Sequence, residues 1–302
     1  PAEQTPFSAL ALGVLAQEAG VPDGLLNIIT GDAAAIGKAL TESETVRKIS
    51  FTGSTAVGIK LFEQSAPTIK KLSLELGGNA PFIVFDDADI DDAVEGAMVA
   101  KFRNAGQTCV CTNRIYAQAA IYDEFVEKLG KAMAKLLVGA GTEPDTAIGP
   151  LIDEAALAKV EAHVADAKAK GGTVLTGGQR HDAGARFYQP TLITDATQDM
   201  MVATEETFGP VAPVFRFETE EEAIAMANDT EFGLASYFYA RDLGRVWRVA
   251  EALETGMVGI NSGAISTEVA PFGGIKSSGL GREGSSHGLE DYEELKYLHM
   301  AL

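Results

Sequence analysis

The chain of 302 residues is long enough for two domains with apolar cores, and no apolar run approaches the roughly 18 residues of a membrane span. Its formal net charge of -19, with no basic stripe to offset it, argues against nucleic acid as a partner. Two cysteines, Cys109 and Cys111, are too few and too close to staple a secreted scaffold, and Pro1 to Pro6 shows neither a basic region nor an apolar signal core, so a cytoplasmic setting is expected.

The first element predicted is a helix whose Thr5 caps, whose Pro6 suits the first turn and which Gly20 ends, with Phe7, Leu10, Ala11, Val14 and Leu15 on one face. The turn Val21-Pro22-Asp23-Gly24 leads to an apolar run, Leu25 to Ile29, read as a buried strand. Asp32 opens a helix to about Leu40. A strand follows around Lys48 to Phe51, a helix from Thr55 to Gln64, and a strand from Lys71 to Leu76. Strands alternating with helices predict a parallel sheet. After Gly77-Gly78 a second α/β unit starts at Phe82 to Phe85. Asp86 to Asp89 forms a cap cluster for a helix from Ile90 to Phe102. Further helices are expected over Ile121 to Leu137, Glu154 to Ala169, Glu220 to Ala227 and Leu243 to Leu253, with strands at Ala235 to Tyr239 and Met257 to Ile260. Gly273 to Gly288, dense in Gly and Ser, reads as a loop.

Three pattern matches lose to plainer readings. Gly31 with Gly37-Lys38 is one residue too long for a phosphate loop, and Ala39 stands where Ser or Thr is needed. Gly284-Ser285-Ser286-His287-Gly288 has the string of a nucleophile elbow but no preceding apolar strand. His163, His181, His287 and His299 are never at metal-ligand spacing.

Two segments carry chemistry. Phe51 to Gly58 follows a strand and opens a helix, where glycine lets backbone approach a pyrophosphate, although any tight strand-helix turn uses Gly. Gly106-Gln107-Thr108-Cys109 presents a thiol that a helix start or polar backbone would make partly thiolate; a lone Cys is more often a small core residue. Glu75, in Leu74-Glu75-Leu76-Gly77-Gly78, changes those odds. A carboxylate among apolar neighbours, ending a parallel strand, gains the raised pKa a general base needs.

These segments, together with Glu205-Glu206-Thr207-Phe208-Gly209-Pro210 and Pro271-Phe272-Gly273-Gly274, stand in the order and spacing of the aldehyde dehydrogenase superfamily, which the whole chain resembles. The resemblance implies an α/β, aldehyde dehydrogenase-like fold: a partial Rossmann-type cofactor domain over 1–78, an α/β catalytic domain over 79–283 and a short oligomerisation arm over 284–302, in a homodimer or homotetramer. It also implies that the chain begins inside the cofactor domain, so that the 302 residues alone are expected to be inactive.

Carried onto this sequence, the resemblance makes Cys109 the nucleophile, with its own backbone N–H as an oxyanion donor, and Glu75 the base that activates water against the thioester. Phe208 packs near the nicotinamide ring, Glu206 holds its ribose, Leu76 is a further cofactor contact, and Gly53 and Ser54 contact the pyrophosphate. Glu3 matches the position that contacts the adenosine ribose; a carboxylate there favours NAD over NADP, which carries a 2′-phosphate, though a helix-start Glu accounts for it nearly as well. Lys101 to Cys111, and Ile265-Ser266 ahead of Val269-Ala270-Pro271, are similar to the succinate-semialdehyde dehydrogenase branch. Arg103, six residues before the nucleophile, and Ser266 would hold a carboxylate on the substrate, unless Arg103 serves a structural ion pair. Glutarate semialdehyde or another carboxy-aldehyde is the alternative substrate, and a purely structural fragment the alternative of another class. Coenzyme-A acylation is disfavoured by the presence of Glu75. Cys111 would close a redox-sensitive pair with Cys109, or simply pack.

Overall fold

A computed structural model describes residues 1–302, which form two compact units: 1–50 with 56–72, and 51–55 with 73–302. The chain opens with α1 (Phe7–Glu18) and α2 (Ala33–Glu42), followed by β1 (Lys48–Thr52), α3 (Thr55–Ser65) and β2 (Lys71–Glu75). Asp32 caps α2 by accepting from Ala35 N at 2.7 Å, as its short side chain allows. Gly20, at φ 83°, follows α1 in the left-handed region expected of a glycine stop.

Two expectations fail in this unit. The N-cap position of α1 is Pro6 rather than Thr5, and no side chain caps the helix. Leu25 to Ile29 forms no strand: Leu25 N bonds back to Pro22 O, Asn27 bonds Gly24 O, and Leu25, Leu26 and Ile29 are exposed. An apolar run becomes a strand only where another strand supplies its ladder, and none pairs with it here.

The second unit continues with β3 (Ala80–Val84), α4 (Ile90–Phe102), β4 (Thr112–Gln118), α5 (Tyr122–Met133), β5 (Leu137–Val138), β6 (Thr146–Ile148) and α6 (Glu154–Ala169). Next come β7 (Thr173–Thr176), β8 (Thr191–Thr194), α7 (Met201–Thr204), β9 (Val211–Phe217), α8 (Glu220–Asn228), β10 (Phe232–Gly233) and β11 (Ala235–Tyr239). The chain closes with α9 (Leu243–Ala252), β12 (Met257–Ile260), β13 (Ile275–Lys276), β14 (Gly279–Leu280) and α10 (His287–Glu290). Seven strands make the main sheet in the order β12-β11-β3-β4-β9-β8-β7, parallel throughout except for β7 at one edge.

Strand period decides where its core lies. Phe82 and Val84 face one layer, against α4 and α5, while Ile83 and Phe85 face the other, against α6, α8 and α9. Both faces are covered, so β3 reads as an unbroken apolar run rather than an alternation. The cap cluster is confirmed at Asp89, whose carboxylate accepts from Asp91 N and Asp92 N at the start of α4. A smaller three-stranded sheet is ordered β1-β2-β14, and here Glu75 stands opposite Gly279 in an antiparallel pair. The parallel setting predicted for Glu75 is therefore replaced by an antiparallel one on that side. The expected loop from Gly273 to Gly288 contains β13, β14 and the start of α10, and the Ser/Gly string at 284–288 has Gly284 and Ser285 at positive φ. No helix is long and apolar enough to cross a membrane.

Candidate active site

Cys109 lies in the turn Thr108 to Cys111, closed by Cys111 N donating to Thr108 O at 3.0 Å, just before β4. The turn leading into it is unusual. Asn104, Ala105 and Gly106 all have positive φ, at 51°, 56° and 76°, and each non-glycine there costs about 1–3 kcal/mol. The surroundings hold that strain in place. Asn104 Nδ2 donates to Gln107 O at 3.0 Å and Gln107 N to Asn104 O at 3.1 Å, while Gln107 Oε1 accepts from Ile152 N at 3.0 Å. A Cβ on Gly106 would meet Gly209 O at 2.1 Å, so the nucleophile turn rests on the loop that carries Glu206.

Gly78 is the second close approach. A Cβ there would stand 2.4 Å from Cys109 O, and the Gly78 N–H donates to Glu206 Oε1 at 2.9 Å. One glycine thus fixes both the backbone of the nucleophile and the carboxylate beside it. Gly77 packs closely beside that carboxylate: a Cβ there would lie 3.2 Å from Glu206 Oε2, the Phe232 ring and Thr55 Oγ1. Half-exposed Phe208 follows on the same loop.

Cys109 sits in a turn rather than at a helix start; burial first, and then the carboxylates of Glu206 and Glu75, push its thiol up to about 11 against the lowering effect of its backbone hydrogen bond. Without a base or a nearby positive charge it is a thiol rather than a thiolate. Glu75 behaves as expected. Burial, reinforced by Glu283 and opposed by Arg282, raises its carboxyl to about 8, and neither of its oxygens has a hydrogen-bond partner. Burial also raises Glu206, against the lowering effect of the Gly78 N–H.

The remaining predicted residues are placed as follows. Leu76 is buried and its N–H goes to Ser278 O at 3.0 Å. The Gly53 N–H goes to Glu75 O at 3.0 Å, and a Cβ on Gly53 would strike the Phe51 ring at 2.4 Å, so this glycine already has a packing reason beyond a pyrophosphate. Ser54 is exposed beside it. Cys111 is buried; its Sγ lies 2.9 Å from Thr108 Oγ1 and donates to Arg103 O at 3.7 Å, which ties the turn to the start of the left-handed run. Arg103 and Ser266 are both exposed. In the first unit Glu3 accepts from Ala33 N at 3.3 Å and lines a pocket with Thr30, Gly31 and Asp32.

Tyr237 on β11 was not singled out from sequence. Its hydroxyl donates to Val110 O at 2.8 Å, and it feels the charges of Cys111, Cys109 and Arg103. Its ring and Ile265, the neighbour of Ser266, both come within 2.8 Å of where a Cβ on Gly259 would stand. Lys101 was read as part of a motif without a role; it is wholly buried, with Nζ donating to Asn113 Oδ1 at 3.3 Å.

An aldehyde dehydrogenase family profile matches residues 1–298, and the chain belongs to that family. It is 64% identical over 302 residues to the Escherichia coli K12 succinate-semialdehyde dehydrogenase named for NADP(+), GabD, covering 100% of this chain and 63% of that protein. It is 62% identical over 298 residues to a Pseudomonas aeruginosa glutarate-semialdehyde dehydrogenase, covering 99% of this chain and 62% of that one. The crystal structure of a Burkholderia pseudomallei succinate-semialdehyde dehydrogenase superposes with a TM-score of 0.96 at 65% identity, over 97% of this chain and 61% of its own. The chain thus spans less than two thirds of the length of each of these relatives.

Proposed function

We propose that the protein oxidises succinate semialdehyde to succinate through a thiohemiacetal and a thioester on Cys109, with glutarate semialdehyde as the second reading because a relative of nearly equal identity is named for it. The observation that carries the reading is the convergence of the Cys109 turn, Gly78 and Glu206, with the unpartnered, buried carboxyl of Glu75 perturbing the same thiol. The residues fit a nicotinamide cofactor: the Glu206 carboxylate is an acidic acceptor with the half-exposed Phe208 ring two residues on, and Leu76, Glu206 and Phe208 would hold that end, with Gly53 and Ser54 toward the phosphates. Bound and oxidised, the cofactor supplies a hydride acceptor and a positive ring charge.

The protein's own residues do the rest. Cys109 releases its thiol proton to solvent water as its sulfur adds to the aldehyde carbon; its backbone N–H stands as a donor to the developing oxyanion. Once hydride has left that carbon, Glu75 takes a proton from water, and the hydroxide displaces Cys109 from the thioester to release the carboxylic acid. A second carboxylate on the substrate meets Arg103, with Ser266 adding a neutral bond.

In the first unit the carboxylates of Glu3 and Asp32 line one pocket, which favours a ribose with a free 2′-hydroxyl and hence NAD; the Escherichia coli relative is named for NADP(+), so the preference rests on these two side chains alone. A thiol nucleophile with a second free cysteine nearby suits the cytoplasm. The exposed Leu295, Tyr297, Leu298 and Met300 suit a homodimer or homotetramer arm.

In the full-length enzyme, the test follows nicotinamide reduction with succinate semialdehyde, glutarate semialdehyde and a neutral aldehyde, each with NAD and NADP. Arg103→Ala is expected to raise KM about tenfold for the two semialdehydes and to leave the neutral aldehyde unchanged. Preference for the neutral aldehyde, or an equal effect on all three, removes the carboxylate reading. Which semialdehyde is better must be measured, since one methylene is worth only about 1–3 kcal/mol. Gly78→Ala should lower kcat about a hundredfold or more, because its Cβ has no room except by moving the nucleophile. A kcat within threefold of wild type would show that the Cys109 backbone can shift without cost.

A further inference from the structure

We infer that His163 is a positioning residue for the loop that carries Glu206, and that it sets affinity for the nicotinamide cofactor. The inference rests on the reading of Glu206 as a cofactor contact.

His163 lies on α6, far in sequence from Glu206, and its side chain is completely buried. Its Nδ1 is 2.8 Å from Thr207 Oγ1, and its Nε2 is 3.4 Å from Glu205 Oε2, a dipolar approach to a carboxylate rather than an aligned hydrogen bond. The two ring nitrogens therefore engage the residues on either side of Glu206. The neutral Nε2–H tautomer satisfies both: Thr207 O–H donates to Nδ1, and Nε2–H points its positive end at the Glu205 carboxylate.

The groups facing the ring agree with a neutral imidazole. Burial and Lys159 hold its pKa below the ordinary value, against Glu205 and Asp166, which raise it. Asp166 is occupied elsewhere, accepting from Met201 N at 2.7 Å and pairing with Lys170 at 2.9 Å, so it anchors α7 to α6 just before the same loop. Lys159 lies 3.7 Å from Glu205 Oε2 on the other side. On the far side of the loop, Glu206 Oε1 is already fixed by Gly78 N, and Gly209 packs where a Cβ would strike Val160 of α6 at 2.4 Å. The peptide from Glu205 to Gly209 is thus held at both ends by α6, and His163 is the polar part of that hold. A buried imidazole with two specific partners is costly to keep unless both are met. Here they bracket the side chain read as touching the nicotinamide ribose.

The experiment measures cofactor Kd by calorimetry, together with KM and kcat, in the full-length enzyme carrying His163→Phe, Thr207→Val or Glu206→Gln, and in the His163→Phe/Glu206→Gln double variant. His163→Phe keeps the volume and removes both nitrogens; Thr207→Val removes the same bond from the loop side and serves if the first variant does not fold. Both are expected to raise cofactor Kd and KM about three- to tenfold, with a smaller effect on kcat and on aldehyde KM. His163→Phe should add little once Glu206 is Gln, because the positioned group is gone. If Glu206→Gln weakens the cofactor while folded His163→Phe and Thr207→Val bind as wild type does, the inference is overturned and the reading of Glu206 stands. If Glu206→Gln leaves Kd unchanged, the reading of Glu206 fails and takes the inference with it.

Discussion

Glu75→Gln is expected to reduce one equivalent of nicotinamide in a burst and then to turn over about 100- to 10,000-fold more slowly than wild type. The amide keeps the volume and polarity of the carboxyl but takes no proton from water, so the thioester on Cys109 forms and persists. Intact-mass measurement after the burst should show the chain heavier by one acyl group, and denaturation in hydroxylamine should remove it. The wild type gives the pH signature. Burial first, and Glu283 second, raise the Glu75 carboxyl to about 8, so the base is largely protonated at neutral pH and deacylation should rise with pH through that value. Stability runs the other way. From the ordinary value of 4.5 up to about 8 the folded chain keeps a proton that the unfolded chain releases, so the contribution of Glu75 to stability is full below 4.5 and is lost as pH rises through about 8. In Glu75→Gln both the activity limb and that part of the stability slope should vanish together. A variant with wild-type kcat, or one with no burst and no acyl adduct, would remove Glu75 from the deacylation step.

The sequence discloses elements and chemistry-bearing residues better than it discloses contacts. The helices Ile90–Phe102 and Glu154–Ala169 and the strands Ala235–Tyr239 and Met257–Ile260 have the predicted bounds, because caps such as Asp89 and runs flanked by turn residues are local signals. Glu75 and Cys109 stand out because a carboxylate amid leucines and a thiol after Gly-Gln-Thr are chemically odd for a core. What stayed hidden depends on residues distant in the chain. That Gly78 lies under the carbonyl of Cys109, that His163 brackets Glu206, and that Tyr237 holds Val110 are each set by the order of strands in the main sheet. The electrostatic setting of Cys109 is hidden for the same reason: its strongest charged influences are two carboxylates 34 and 97 residues away in sequence, not the turn it occupies. Leu25 to Ile29 shows the converse error, an apolar run given a strand without a neighbour to pair with.

Arg114→Met is expected to cost about 3–5 kcal/mol of stability, a fall in Tm of roughly 6–20 °C. Arg114 is fully buried on β4, yet its recorded partners include no carboxylate. Nε donates to Asn79 O at 3.0 Å, Nη1 to Met226 O at 2.9 Å and to Tyr116 Oη at 3.1 Å, and Nη2 to Ala227 O at 2.8 Å. Met226 and Ala227 belong to the last turn of α8, where unpaired carbonyls and the negative end of the helix dipole offer a cation partial compensation. Replacing a buried charge by an apolar side chain is sometimes harmless, because the desolvation penalty disappears with it. Here that gain is outweighed, since the carbonyls of Asn79 and Ala227 would be left buried without the donor that meets them, at about 1–3 kcal/mol each. Met cannot reach them, whereas Lys can meet one at most, so Arg114→Lys should fall between the two. Because Asn79 directly follows Gly78, the loss should also loosen the backbone under Cys109 and lower kcat in the fraction that stays folded. Calorimetric melting of the three proteins decides it: a Met variant melting within 2 °C of wild type would mean that water or a shifted α8 satisfies those carbonyls, and that the guanidinium holds nothing the fold needs.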